Sequence, residues 1–176
     1  MMTVQSSTTD PQPVTNDSVV FPDSGLAQGS IDGGWWPRSL DLVAELPPLV
    51  EEVFAAGFDI TDVSYNPAAW DEAPQQVTVS RRWVCLHGEV SQDAASIQLI
   101  DSTGLKPVVV VVVPPGTGPL VAENALVLAG RDGDLHRPDQ ILPRAEMQTA
   151  AYGTDGPQPL AHSTRDAEGL DEQLGA

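Results

Sequence analysis

The feature that most constrains the fold is a run of six consecutive valines, Val108–Val113. β-Branched residues favour strands, and a strand with one wet face would alternate apolar with polar side chains. This run does not alternate, which predicts a central strand with both faces covered. Pro114–Pro115 follow at once and end the strand, because proline cannot donate to the strand ladder.

Four other strands are predicted around this one. Phe58–Tyr65 is rich in β-branched and aromatic residues, and its apolar positions change parity near Asp62, which indicates a β-bulge. The remaining segments pair as two hairpins, the first with Arg81–Arg82 at or near its tip and the second turning at Gly104. Their strands are predicted at Val77–Ser80, Trp83–His87, Ser96–Asp101 and Leu105–Val113.

Two helices flank the strands. Ser39 can cap the first, because apolar residues recur every three or four positions after it. Two prolines interrupt this pattern, so we expect a helix that is bent or broken at Leu46–Pro48 and that ends at Gly57 in a left-handed cap. The second helix is predicted between its cap, Thr117, and Gly130, with Pro119 in its first turn.

The pattern therefore predicts one α+β domain at residues 30–131, with about five mostly antiparallel strands in a curved sheet, an N-terminal bent helix and a C-terminal helix. The helices could cover one face each or share a face; the valine run favours both faces, and a sheet curved toward a small barrel is the alternative. Residues 1–29 are predicted to be a disordered tail and residues 132–176 a mostly disordered acidic tail, although Val19–Phe21 and Leu135–Leu142 could dock locally.

Charge and composition narrow the classes of function. The net charge of −17 repels phosphate backbones and anionic membranes, so we expect no direct nucleic-acid binding and no membrane binding. It favours a basic partner, or serves only solubility. The single cysteine, Cys85, excludes an internal disulfide. The chain shows neither a secretory signal nor an apolar run long enough for a membrane, and we expect a cytoplasmic protein.

A search for chemistry finds no catalytic residues, no metal site and no cofactor site. Cys85 and His87 are two apart on a predicted strand and point the same way, but two ligands are too few for zinc. Ser91 with His87 and Asp93 has the residue types of a hydrolase triad without a nucleophile elbow, and is better explained as a loop that bonds its own backbone.

The tryptophans are the most informative candidates for binding. Consecutive residues of an extended segment point to opposite sides, so Trp35 and Trp36 cannot easily enter one core together. One of them could anchor the segment while the other joins Arg38 in a surface patch, with Trp70 as a further binding residue. The alternative is ordinary packing, in which the tryptophans cover the sheet edge and Arg38 pairs with a nearby aspartate.

Several blocks of this sequence resemble one known family. They are D-G-G-W-W-P-R-S at Asp32–Ser39, V-S-Y-N-P-A-A-W at Val63–Trp70, S-Q-D at Ser91–Asp93 and V-V-P-P at Val112–Pro115. Together they resemble an actinobacterial family known only as domain of unknown function five-nine-nine-four, over about residues 31–131. The resemblance implies a single-domain bacterial cytosolic protein and carries no activity with it.

Two hypotheses of function follow. The failed search for chemistry favours a non-catalytic protein-interaction or regulatory domain over an enzyme, binding an unknown protein or a second copy through the Trp35, Trp36 and Arg38 patch or a sheet edge. The alternative is a small-molecule binder or undescribed enzyme, with a pocket between helix and sheet lined by Trp70, Trp83, His87 and Arg38. An acidic decoy for a nucleic-acid-binding protein is a weaker third hypothesis.

Overall fold

A computed structural model describes residues 18–22, 30–131 and 136–153 of the chain. The predicted tail at residues 1–29 lies outside them apart from residues 18–22, and residues 132–135 and 154–176 also lie outside. The strands are β1 (Val19–Val20), β2 (Gly33–Trp35), β3 (Ile60–Tyr65), β4 (Gln76–Val79), β5 (Arg82–Gly88), β6 (Ser96–Asp101) and β7 (Val108–Val112). The α-helices are α1 (Leu42–Ala55), α2 (Pro119–Ala129) and α3 (Pro138–Gly153), with a short 3₁₀ helix at Pro67–Ala69.

The α+β class is confirmed, but the sheet in the described residues has seven strands and is mixed. Its order is β1-β2-β7-β6-β3-β5-β4. The pairs β2–β7 and β3–β5 are parallel, and the other pairs are antiparallel. The prediction of about five mostly antiparallel strands was wrong in this detail, because a glycine-rich strand and a two-residue strand carry little pattern.

The sequence of β2 does not resemble a strand because two of its three residues are glycines, which close packing requires. A Cβ on Gly33 would lie 2.6 Å from the Val20 carbonyl oxygen of the neighbouring β1, and a Cβ on Gly34 would lie 2.9 Å from the Ala129 Cβ of α2. Glycine is therefore required by close approach at both positions, although it is disfavoured in strands generally. The same approach lets β1 and α2 pack tightly against this edge of the sheet.

The valine run occupies the predicted place. Strand β7 lies between β2 and β6, and its side chains are divided between two cores. Val108, Val110 and Val112 lie in the core that contains α1, whereas Val111 and the following Val113 lie in the core that contains α2 and α3. The prediction that both faces of this strand are covered is confirmed. We call the two sides of the sheet the α1 face and the α2 face.

Helix α1 differs from its prediction at its start and its middle. Asp41 rather than Ser39 is the N-cap, and its Oδ1 accepts from the backbone N–H groups of Val43 and Ala44. The helix runs through Pro47–Pro48 without interruption. The two carbonyls that these prolines leave without a helical donor belong to Val43 and Ala44, which are exposed to water. Gly57, with φ of +94°, ends the helix region as predicted.

The turns follow their predictions closely. The register of β3 shifts between Ile60 and Asp62, which confirms the bulge. The tip of the β4–β5 hairpin is Ser80–Arg81, with φ of +48° and +66°, so Arg81–Arg82 lies at or near the tip as predicted. Gly104 turns the β6–β7 connection with φ of +63°. Helix α2 is capped at Gly118 without a side-chain bond, rather than by Thr117.

Helix α3 lies in the segment that the sequence predicted to be mostly disordered. It packs on α2 and reaches β7. Ile141 and Ala145 are fully buried in the core of the α2 face, and Asn124 of α2 donates a 2.7 Å hydrogen bond to Thr149. The hydrophobic pattern of this helix is weak because it presents only a narrow apolar stripe and contains an internal proline, Pro143.

Candidate functional site

One end of the sheet brings together most of the blocks that stand out in the sequence. Strands β2, β3, β5 and β7 all end there, and β6 begins there. We call this the upper end, defined as the end at which β7 runs into Pro114–Pro115. Trp36–Arg38, Asn66–Trp70 and the loop at 89–95 lie at the same end, because each follows or precedes one of these strands.

Trp35 and Trp36 point to opposite faces, as their alternation predicts. Trp35 lies in the core of the α1 face and Trp36 in that of the α2 face, and only 8% of Trp36 is exposed. The Arg38 guanidinium lies 4.3 Å from the centre of the Trp36 ring. The Trp36 Nε1 is buried and has no hydrogen-bond partner among the described residues. The predicted surface pair is therefore an exposed arginine over a buried ring.

Trp70 belongs with Trp35 and not with this pair. The two rings stack with centroids 5.2 Å apart and planes 20° apart. Trp70 is also buried in the core of the α1 face. The structure thus divides the four predicted binding residues into two pairs, one on each face.

A network of amides and hydroxyls fixes the loop at 89–95 to the sheet. Ser64 donates to Gln92 Oε1 at 2.5 Å, and Gln92 Nε2 donates to the backbone carbonyls of Ser64 and Ser96. Asn66 donates to the Gln92 carbonyl at 2.8 Å. Asp93 accepts from the Ala95 N–H, as expected of a turn residue. The Ser-Gln-Asp block therefore orders a loop, and Gln92, which the sequence analysis named only as part of this block, is its centre.

The buried Asp32 begins the D-G-G-W-W block and, like Gln92, holds two segments of the fold together by hydrogen bonds. Its Oδ2 accepts from the Val109 N–H at 2.8 Å, and its own N–H donates to the Val109 carbonyl at 2.7 Å. These bonds join the chain just before β2 to the start of β7, which sets the register of the parallel pair.

His87 and Asp62 form an ion-pair geometry on the α2 face. His87 Nε2 lies 2.7 Å from Asp62 Oδ1, and both side chains are partly exposed. The hydrogen bond with His87 lowers the pKa of Asp62 below its ordinary value, and a hydrogen bond from Thr61 adds to this effect. Cys85 lies beside them with its Sγ 3.4 Å from Gln76 Nε2. Within the described residues, no three potential ligands are grouped to hold a metal ion.

Two cavities open at the upper end. The first, of about 360 Å³, lies between the ends of β2 and β7 and helix α3, which contributes Pro138 and Leu142. The described residues that line it have apolar side chains, with the indole N–H of Trp70 as the one polar side-chain group among them. We call it the apolar cavity. The second is a wider polar cleft of about 880 Å³, lined by residues that include Gln76, His87 and Glu89. Trp70 and His87 thus line different cavities, and Arg38 and Trp83 line neither of these two.

No helix of the described residues packs on part of the α2 face. Helices α2 and α3 pack on β1, β2 and β7, and the core beneath them includes no described residue of β3 to β6. We call the rest of this face the open half. Trp83, placed by strand alternation beside Thr78 of β4, is 68% exposed there. The side chains of the open half are those of Asp62, Ser64, Gln76, Thr78, Trp83, Cys85, His87, Gln98 and Ile100.

The sequence contained a signal for this surface. Val84 and Leu86 alternate with Trp83, Cys85 and His87 along β5, which is the pattern of a strand with one buried and one wet face. Reasoning from residue type assigned Trp83 to a pocket, since tryptophan is usually buried. Alternation would have placed it on the outside.

Comparison with known proteins identifies a family and no activity. No curated protein and no solved structure matches the chain. Within the described part of the chain, no helix combines the length and apolar character needed to cross a bilayer. The model of a family of unknown function, DUF5994, matches residues 21–129, from the end of β1 to the end of α2. The match covers more than half of the chain, so this protein belongs to the DUF5994 family.

Proposed function

We propose that this protein is a non-catalytic protein-interaction domain that binds its partner through the open half of the α2 face, with Trp83 as the anchor. One observation carries the proposal. Trp83 is 68% exposed, whereas the other three tryptophans are buried. Exposed tryptophan is uncommon on a free surface, and tryptophan is enriched among the residues that contribute most to binding energy.

The neighbours of Trp83 support a protein rather than a small ion as partner. The open half is a broad surface in which Trp83 and Ile100 are accompanied by hydroxyl and amide groups, with Asp62 next to His87 as its charged group. Apolar anchors surrounded by polar groups are the usual anatomy of a protein interface. The chain carries a net charge of −17, which favours a partner with a basic rim around its contact surface.

This proposal moves the interaction surface away from the Trp35 and Trp36 patch. Both of those rings are buried in the two cores, so neither can be an exposed anchor without partial unfolding. Arg38 is exposed, but it lies over Trp36 in the part of the molecule that α2 and α3 cover, and not in the open half. The alternative of a pocket lined by Trp70, Trp83, His87 and Arg38 is supported less directly, because neither of the two cavities at the upper end contains more than one of these side chains.

Affinity capture with matched variants tests the proposal. The full chain would be used as bait in lysate of the source organism, beside Trp83→Ala and Leu120→Ala. Leu120 lies on α2 and is also 68% exposed, so it controls for the loss of an exposed apolar side chain. We expect a partner retained by the wild type and by Leu120→Ala, and recovered at least about tenfold less by Trp83→Ala. Sedimentation velocity of the same three proteins would detect a second copy as the partner.

Two results would contradict the proposal. A partner captured equally by all three baits would bind elsewhere on the molecule. A folded wild type that captures nothing and sediments as a monomer at all concentrations would leave Trp83 as an exposed side chain without an interaction. Circular dichroism of the variants ensures that a lost interaction is not a lost fold.

A further inference from the structure

We propose that the apolar cavity at the upper end is a binding site for an uncharged, apolar small molecule of about the size of two fused rings. This site is separate from the open half that carries the proposed function, and neither proposal depends on the other. The cavity lies where two parallel strands, β2 and β7, end side by side. Small-molecule sites are commonly concave clefts lined mostly by apolar side chains, and this cavity is one.

The lining determines the chemical class of the ligand. The described lining residues have apolar side chains except for the indole N–H of Trp70, and four of the twelve are prolines, which have no N–H to donate. Three of the twelve backbone carbonyls already accept hydrogen bonds: the Leu40 carbonyl from the Asp71 N–H, the Ala95 carbonyl from the Val112 N–H, and the Pro114 carbonyl from the Thr117 N–H. A charged or strongly hydrogen-bonding ligand would leave its polar groups unsatisfied there, which is costly. An apolar ligand has no hydrogen-bonding groups that the cavity would leave unsatisfied.

The volume determines the size of the ligand. A dry apolar cavity of about 150 Å³ in another protein holds benzene. The cavity here has about 360 Å³, within the range of cavities that bind small molecules and large enough for a two-ring molecule. The negative charge of the chain further disfavours an apolar acid as the ligand.

The walls are already in place before a ligand binds. Trp70 is held by its stack on Trp35, and the Ala94–Ala95 bend is held by the Asp93 turn and by the bond from Val112 to the Ala95 carbonyl. A preformed wall reduces the entropy that binding must overcome. Helix α3, which lies beyond the part of the chain matched by the family, closes the cavity with Pro138 and Leu142.

Naphthalene and 1-naphthoate test this inference as a matched pair of probes. They have the same two rings and differ by a carboxylate. Each would be titrated into the full chain and followed by the methyl NMR signals of Val111 and Leu142, both of which line the cavity. We expect saturable shifts at these methyl groups with naphthalene, together with a higher midpoint of thermal unfolding, and no saturable shifts with 1-naphthoate.

Variants on opposite walls locate the binding. Leu142→Trp on α3 and Ala95→Leu on the facing bend each fill the cavity, whereas Met147→Trp adds the same ring to an exposed position of α3. We expect naphthalene to bind at least about tenfold more weakly to either filled variant and within about twofold of wild type to Met147→Trp. The two filling variants alter different elements, so a fold lost in one leaves the other as a test.

Three results would overturn the inference. Naphthalene could fail to shift the cavity methyl groups up to its solubility limit, or 1-naphthoate could bind as tightly as naphthalene. The same methyl signals could instead shift with protein concentration alone, which would identify a second copy of the chain as the occupant.

Discussion

The two halves of the α2 face differ in what covers them, and they differ in sequence accordingly. Over β2 and β7 the face is closed by α2 and α3, and β7 is valine at every position. Over β3 to β6 no described helix covers it, and β5 alternates apolar with polar or exposed residues. A strand buried on both sides needs apolar residues throughout, whereas a strand with one wet face needs them at every second position. The two halves are therefore encoded by two different patterns within one sheet.

The blocks that stand out in the sequence are also distinct from the residues that are exposed to a partner. Most blocks that stand out in the sequence are used for building. Asp32 joins β2 to β7, Asn66 and Gln92 hold the loop at 89–95, and Trp35 and Trp70 stack in the core. What remains available to a partner is less distinctive in sequence. The proposed anchor, Trp83, lies in none of those blocks.

The largest expected difference is between two tryptophans. Trp35→Ala should lower the free energy of unfolding by about 3 to 5 kcal/mol, because it opens a cavity in the core of the α1 face and removes the stack with Trp70. Trp83→Ala should change it by no more than about 0.5 kcal/mol, since the ring is exposed. Urea denaturation measures both, with Trp35→Phe as a variant that retains an aromatic ring. A large loss in Trp83→Ala would show that the open half is covered in solution.

Much of the fold could be predicted from such patterns. The central place of the valines, the bulge near Asp62 and the turn at Gly104 are local consequences of β-branching, parity and backbone geometry. The same reasoning missed β1 and β2, because Gly33 and Gly34 are selected by the close approach of other elements rather than by strand propensity. It also could not give strand order, since the parallel pairs join segments far apart in the chain.

The candidate sites were less predictable than the fold. Alternation correctly sent Trp35 and Trp36 to opposite faces, but only the packing of α2 and α3 determines that Trp36 is buried. The apolar cavity is formed by five separate segments, including a helix that the sequence predicted to be mostly disordered. No linear pattern brings Trp70 and Leu142 together. Both line the cavity because strands β2, β3 and β7 end at the same end of the sheet.

Truncating a buried side chain of α3 tests whether this helix unfolds cooperatively with the rest of the domain. Ile141→Ala should cost about 2 to 5 kcal/mol, because Ile141 is fully buried between α3 and the α2 face. Met147→Ala, at an exposed position of the same helix, should cost no more than about 0.5 kcal/mol. Urea denaturation gives these values, and hydrogen exchange reports on α3 separately. If Ile141→Ala unprotects only the amides of α3 and leaves global stability unchanged, the helix is an appended cover rather than part of the cooperative unit.

A smaller effect is expected where the loop joins the open half. Gln92→Ala removes the amide that bonds Ser64 and Ser96, and should cost about 1 to 3 kcal/mol because Ser64 and Ser96 are buried. Hydrogen exchange should show the loop at 89–95 losing protection before the rest of the sheet. Gln98→Ala, a truncation of the same size on the open half, is the control and should cost no more than about 0.5 kcal/mol. Equal losses in both variants would refute a special role for Gln92.

The smallest effect concerns the partly exposed pair on the open half. The hydrogen bond with His87 lowers the pKa of Asp62 below its ordinary value of 3.8, with a smaller effect of Thr61. A carboxyl whose pKa is lowered by folding stabilises the native state above its unfolded pKa, and this contribution is lost as pH falls through the folded pKa. The His87 side chain is 50% exposed and the Asp62 side chain 36%. We therefore expect the pair to contribute less than about 1 kcal/mol to the free energy of unfolding.

Two variants separate the contributions to this pair. His87→Ala should raise the pKa of Asp62 toward its ordinary value by more than Thr61→Val does, as measured by the pH dependence of the Asp62 carboxyl carbon signal in NMR. The stability difference between wild type and His87→Ala should be present at pH 5 and should shrink below the folded pKa of Asp62. A difference that stays constant through the acid range would mean that His87 stabilises the sheet by packing and not through the carboxylate. In that case His87 would stabilise the open half by van der Waals contact, as the apolar side chains beneath α2 and α3 stabilise the rest of the α2 face.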